Sequence, residues 1–239
     1  MNSERVAHRI DEGVGRLRLT HAAKRNAIDH ALTDAALAAM AAFVDAGVQV
    51  VVLEADGPVF CAGNDLAEAQ ADRHNAASDR FVAALLDTPL FFVAAMATPA
   101  YGAGVSIAAC CPIVVATHEA RFALPERDVG LFPAGVLQYL EPLLGVRRAF
   151  EIGLSGTPLD AATAADVGLI TEAVAPAELE HAVARWTALL TARPDVAAAG
   201  RDAWQQRFRT TAVAERTVQL RAILDAQSFD NPDDRRTDR

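Results

Sequence analysis

Residues 5–20 alternate weakly, with Val14, Leu17 and Leu19 set among charges around Gly13 and Gly15, which predicts a β-hairpin. The run DHALTDAALAAMAAFVD (29–45) carries helical spacing, and Asp29 stands where an N-cap would. VQVVVLEA (48–55) is continuous and β-branched, as in a strand buried on both faces. A helix is expected near 77–87, then a strand over LFFVAAM (90–96). YGAGVSIAAC, IVVAT and ARFAL follow, with helices from about 134. Buried strands alternating with helices mean an α/β fold. From about 176 the periodicity is helical alone, in ELEHAVARWTALLTA (178–192) and AERTVQLRAILDAQ (214–227). The chain therefore divides into an α/β core over 1–175 and a helical C-terminal region over 176–239, whose charged end FDNPDDRRTDR is expected to fray.

Composition narrows the function. At 239 residues, 52% hydrophobic and 22% charged, the chain can bury a large core. No apolar run is long enough to span a bilayer, so no membrane partner is expected. The N-terminus MNSERVAHRIDEG lacks an apolar signal region. Cys61, Cys110 and Cys111 make an odd set with two adjacent, which suits reduced thiols and a cytoplasmic location. A net charge of −9 argues against nucleic acid as a partner, though a few local cations can still hold a small anion. Lys24 is the chain's only lysine. No segment has metal-ligand spacing, and the six histidines are scattered.

Two glycine-bearing stretches interrupt the pattern where buried strands end: Cys61-Ala62-Gly63-Asn64-Asp65 and Ala100-Tyr101-Gly102-Ala103-Gly104-Val105. Each is either a tight turn using glycine's conformational range or a junction presenting backbone N–H groups to a ligand. Two such groups aimed at one point would form an oxyanion hole. Gly102-Ala103-Gly104 lacks the third glycine of a dinucleotide fingerprint. A third stretch, Glu119 to Glu126, ends an apolar run on a carboxylate, which reads either as a solvated or capping residue or as a reactive acid.

In order and spacing these stretches resemble the enoyl-CoA hydratase/isomerase, or crotonase, family, from about residue 13 to 175. Lys24-Arg25-Asn26-Ala27-Ile28 is similar to the family's early N-A-[LIM] segment. Phe60 to Leu66 is similar to F-[SC]-A-G-x-D-L, Pro99 to Ser106 to G-x-A-x-G-[GA]-G, and Ala120 to Glu126 to A-x-F-x-x-P-E. Glu151 to Gly156 and Ala164 to Ile170 are similar to E-x-x-L-[TS]-G and A-x-x-x-G-L-[IV]. The resemblance implies a spiral of ββα units with a C-terminal helical region used for trimerisation or as a lid. It also implies a homotrimer or dimer of trimers, no bound cofactor, and a coenzyme A thioester as substrate.

By the same resemblance, the Asn64 and Ala103 N–H groups are the oxyanion donors and Glu126 is the proton-transfer residue. Lys24, Arg25, Ala27, Ala62, Asp65, Leu66 and Gly104 line the coenzyme A site. Lys24 and Arg25 either meet phosphates or are solvated loop charges, and Asp65 is expected to cap the next helix. Family hydratases use two glutamates, and the position of the other one is Ser106 here. A serine without an activating base is a poor proton acceptor. One carboxylate suffices for a 1,3-proton shuttle, as in the family's Δ3,Δ2 isomerases. An isomerase is therefore expected. The alternatives are a hydratase, a thioester hydrolase, or an acyl-CoA-binding protein without turnover.

Further departures from the pattern are Ala23 for proline, Ala97-Thr98 for Asn/Asp-Gly, Pro112 for aspartate and Gly135-Val136-Leu137 for G-G-T. Many relatives continue with a helix beyond FDNPDDRR, so a different or absent lid is expected.

Overall fold

The computed structural model describes residues 5–71 and 77–209. The hairpin forms as β1 (Val6–Asp11) and β2 (Val14–Leu19), antiparallel with Val6 opposite Leu19 and Asp11 opposite Val14. Glu12 (φ 49°) and Gly13 (φ 84°) both take the left-handed conformation, the turn whose twist suits a two-residue hairpin. Helix α1 (His30–Asp45) follows, and Asp29 caps it by accepting from the Leu32 N–H at 2.7 Å. It carries the chain across to β3 (Val50–Ala55), which lies parallel to β2.

Next come α2 (Leu66–Ala71), α3 (Ala77–Asp87), β4 (Phe91–Met96), the two-residue β5 (Ala100–Tyr101), α4 (Ala103–Cys110) and β6 (Ile113–Thr117). The chain continues through β7 (Arg121–Ala123), a 3-10 turn at Pro125–Val129, α5 (Ala134–Leu144), α6 (Val146–Ser155), β8 (Leu159–Asp160), α7 (Ala161–Asp166) and β9 (Glu172–Val174). It closes on α8 (Leu179–Ala192) and α9 (Pro194–Arg209). The second helix expected over 214–227, and the charged end, lie outside the described residues.

Six strands form one sheet in the order β1-β2-β3-β4-β6-β9, parallel beyond the hairpin. One face, with Leu17, Leu53, Phe92 and Met96, packs on the main core with α1, α3 and α4. The other carries Val50, Val52, Val93 and Val115 and is covered by Ala182, Val183 and Leu190 of α8 and Ala197 of α9. Burial on both faces is why β3 and β4 read as unbroken apolar runs. The helices after 176 therefore cover a sheet face directly. Trp204 Nε1 of α9 also donates to the Cys110 carbonyl at 3.0 Å.

A second sheet, β5-β7-β8, is small and sits where the main strands end. Its short strands carry no pattern long enough to be read from sequence.

Candidate active site

The stretches singled out in the sequence lie side by side because each follows a strand of the parallel sheet and leaves it at the same end. Residues 25–28 run beside 62–65: Ala62 N–H donates to Arg25 O at 3.0 Å, Ile28 N–H to Gly63 O at 2.8 Å and Asp65 N–H to Ile28 O at 2.9 Å. On the other side the loop after β3 meets β5, with Phe60 N–H donating to Pro99 O and Tyr101 N–H to Cys61 O. β5 in turn pairs with β7, placing Ala100 opposite Phe122 and Tyr101 opposite Ala123. Three crossovers thus bring segments near 26, 63, 102 and 124 into one layer.

The contacts within that layer need glycine. Gly63 has φ 93°, and a Cβ there would stand 3.2 Å from the Tyr101 carbonyl oxygen and 3.4 Å from the Ala103 nitrogen. Gly102 has φ 51°; its Cβ would lie 2.9 Å from Glu126 Oε1 and 3.7 Å from the Gly63 Cα. Gly104 sits tightest, with its Cβ position 2.6 Å from the Cys61 carbonyl oxygen and 2.9 Å from the Cys61 Cβ. Gly104 thus packs α4 against the 61–65 loop.

Backbone donors are left over in these segments. The N–H groups of Asn64 and Ala103 meet no acceptor among the described residues. Ala103 is the first residue of α4, where helix geometry supplies none and the helix dipole favours negative charge. Ser106, 3% exposed, lies one turn further along α4.

Glu126 enters from the 3-10 turn after β7, which Pro125 starts and Gly130 (φ 77°) ends. Leu131 N–H donates back to the Glu126 carbonyl at 2.9 Å. The Glu126 carboxylate oxygen Oε2 is buried and meets no donor among the described residues. Burial pushes its pKa up to about 7, against a smaller opposing pull from its own backbone N–H. Neither neighbouring charge serves it. Arg127 turns away to donate to the Leu154 and Ser155 carbonyls at 3.2 and 2.8 Å, anchoring the turn to the end of α6. The Asp128 side chain is exposed. The anchoring role of Arg127 has no sequence signal, because it acts through carbonyls 27 and 28 residues away.

At the other edge of the layer, Asp65 Oδ1 accepts from the Ala67 and Glu68 N–H groups at 3.0 and 3.3 Å, the cap expected for α2. Asp65 Oδ2 holds Lys24 Nζ at 2.7 Å. Arg25 is exposed and meets no acidic partner among the described residues. The carbonyls of Ala27 and Ala62, both half-buried, accept no hydrogen bond among the described residues. Leu66, the first residue of α2, is 56% exposed.

Burial pushes the Cys61 and Cys111 thiols up to about 12, so neither ionises at neutral pH. Among the described residues no three metal-ligating side chains cluster, and no helix is long and apolar enough to cross a membrane.

The family model for enoyl-CoA hydratase/isomerase matches residues 9–234. The chain is 29% identical over 188 residues to a probable enoyl-CoA hydratase of Rhodobacter capsulatus, covering 76% of this chain and 73% of that protein. It is 28% identical over 192 residues to a trans-2-decenoyl-[acyl-carrier-protein] isomerase of Streptococcus mutans, covering 75% and 73%. The crystal structure of an enoyl-CoA hydratase/isomerase from Xanthobacter autotrophicus superposes with a TM-score of 0.84 at 25% identity, covering 98% of this chain and 90% of that one. The chain belongs to the enoyl-CoA hydratase/isomerase family, and is an enzyme of the crotonase fold in a family that acts on acyl-CoA substrates.

Proposed function

We propose that the enzyme is a Δ3,Δ2-enoyl-CoA isomerase working with a single carboxylate. One observation carries this reading: the Glu126 carboxylate lies with Oε1 beside Gly102 and with a buried Oε2 that meets no donor among the described residues, while the position of a second glutamate holds Ser106. The thioester oxygen sits between the Asn64 and Ala103 N–H groups, which meet no acceptor among the described residues. Glu126 takes a proton from C2 of a 3-enoyl thioester, and the charge spreads onto the thioester oxygen as an enolate held by the two N–H groups. The same proton returns at C4, so the double bond moves into conjugation and the product has the mass of the substrate. No water is consumed. The Ala27 and Ala62 carbonyls, which accept no hydrogen bond among the described residues, suit the amine of an adenine, and the exposed Arg25 suits a phosphate.

A pKa of about 7 is the right poise for a group that must accept and then release one proton near neutrality. The active form in the free enzyme is the carboxylate. kcat/KM for a 3-enoyl-CoA is therefore expected to be flat above pH about 8 and to fall roughly tenfold per unit well below pH about 7. A midpoint near the ordinary carboxylate range would separate the base from this buried group. Ser106→Ala is expected to leave kcat within about threefold, because a serine with no base beside it transfers no proton. A loss of a hundredfold would put Ser106 in the chemistry and favour hydration, the reaction named for several relatives.

A further inference from the structure

Lys24, a cation at the edge of the site, is already engaged. Lys24 Nζ lies 2.7 Å from Asp65 Oδ2, and the lysine side chain is 55% exposed while that of Asp65 is 8% exposed. The two residues are 41 positions apart, so the pair ties one site segment to another. Its other ties are backbone bonds: Ala62 to Arg25, Ile28 to Gly63 and Asp65 to Ile28. Asn64 stands between Gly63 and Asp65, both of them fixed to residue 28. The ion pair spans that ladder from the residue before Arg25 to the residue after Asn64, whose N–H meets no acceptor among the described residues. Asp65 also holds the first turn of α2 through its other oxygen.

We propose that Lys24 is a positioning residue, which through Asp65 holds the Asn64 N–H in register with the Ala103 N–H, and is not a phosphate ligand of coenzyme A. The proposal rests on the reading that these two N–H groups bind the thioester oxygen. Swinging Lys24 away to a phosphate would take the counter-ion from the nearly buried Asp65 carboxylate, which disfavours that exchange. Arg25, next in the chain and without an acidic partner among the described residues, is free for that role. Both members of the pair are held in the charged state by the hydrogen bond between them, Lys24 with a raised pKa and Asp65 with a lowered one.

The two roles differ in which kinetic constant they move. A positioning role acts on the transition state, so Lys24→Met is expected to lower kcat roughly tenfold with KM changed less than twofold. Lys24→Arg, which can remake the pair, is expected to recover most of that loss. Asp65→Asn should match Lys24→Met, and the double variant should be no worse than either single one, since one interaction is lost in all three. A phosphate ligand would behave otherwise: KM would rise, and Asp65→Asn would free the lysine and lower KM.

Calorimetry with free coenzyme A judges the proposal without turnover. Its Kd is expected to be unchanged within about twofold in Lys24→Met and weakened in Arg25→Met. A Kd weakened tenfold or more by Lys24→Met, or an unchanged kcat, would overturn the positioning role. If the unmodified enzyme turned over no enoyl-CoA, the isomerase reading would fall, and the calorimetry would still decide for or against Lys24 as a phosphate ligand.

Discussion

Glu126→Gln is expected to lower isomerase kcat by a hundred- to ten-thousand-fold while leaving coenzyme A binding within a factor of about two. Glutamine has the same shape and fills the same place beside Gly102, so the loops around it keep their positions. What it lacks is a carboxylate able to take the C2 proton. The variant should also be more stable than the parent at alkaline pH. The folded-state pKa of about 7 lies above the ordinary carboxylate value, so this group's contribution is complete below pH about 4.5 and is lost as pH rises through about 7. At pH 8 the parent buries a charge and the variant does not. Glu126→Gln should then gain stability on the order of 2 kcal/mol at pH 8 and close to none at pH 4.5, read by denaturant titration at both pH values. Full activity in the variant would point to another acid, with Asp128 in the same turn and Glu141 on α5 the next to substitute. A loss of stability at pH 8 would show that the carboxylate has partners the described residues do not contain.

Gly104→Ala should be the most damaging single-methyl change at the site. The added carbon would fall 2.6 Å from the Cys61 carbonyl oxygen and 2.9 Å from its Cβ. The nearest of these is backbone, held by the Tyr101 N–H at 2.9 Å, so it cannot swing aside. Helix α4 must move away from the 61–65 loop. That separation costs roughly 1–3 kcal/mol of stability, as overpacking of a dense core does. The same movement parts the Ala103 N–H from the Asn64 N–H. Loss of one well-placed donor is worth about a hundredfold in kcat, and that is the fall expected. Gly200→Ala supplies the control. Nothing lies within 4 Å of its Cβ position and it sits inside α9, so a gain of a few tenths to 1 kcal/mol is expected. Equal effects at the two glycines would remove the packing explanation.

Legibility of these features in the sequence followed their range. The hairpin, α1 with its Asp29 cap, and strands β3 and β4 depend on periodicity and local chemistry, and they appear close to where the pattern places them. Asp65 as a helix cap is likewise a local matter of three residues. The apolar run that ends on Glu126 is legible, and the structure shows the buried oxygen that such a setting produces. The β5-β7-β8 sheet was not legible, because strands of two or three residues have no period to detect. Nor was the Lys24–Asp65 pair, since nothing in either segment specifies a partner 41 residues away. The need for glycine at 104 depends on a carbonyl that the fold brings in from residue 61. The helices after 176 differ from the core in carrying helical periodicity alone. Their apolar positions cover the second face of the main sheet, a fact that follows from packing and not from helical period.

The most direct test of the single-carboxylate claim is to offer the enzyme a 3-enoyl-CoA and a 2-enoyl-CoA of equal chain length in 18O-labelled water and to weigh the products. The 3-enoyl thioester is expected to become a conjugated 2-enoyl thioester of unchanged mass, with little or no labelled hydroxyacyl product from either substrate. Rapid formation of an 18O-labelled 3-hydroxyacyl thioester from the 2-enoyl substrate would contradict it, and would mean that a site with Ser106 in place of a second glutamate still activates water.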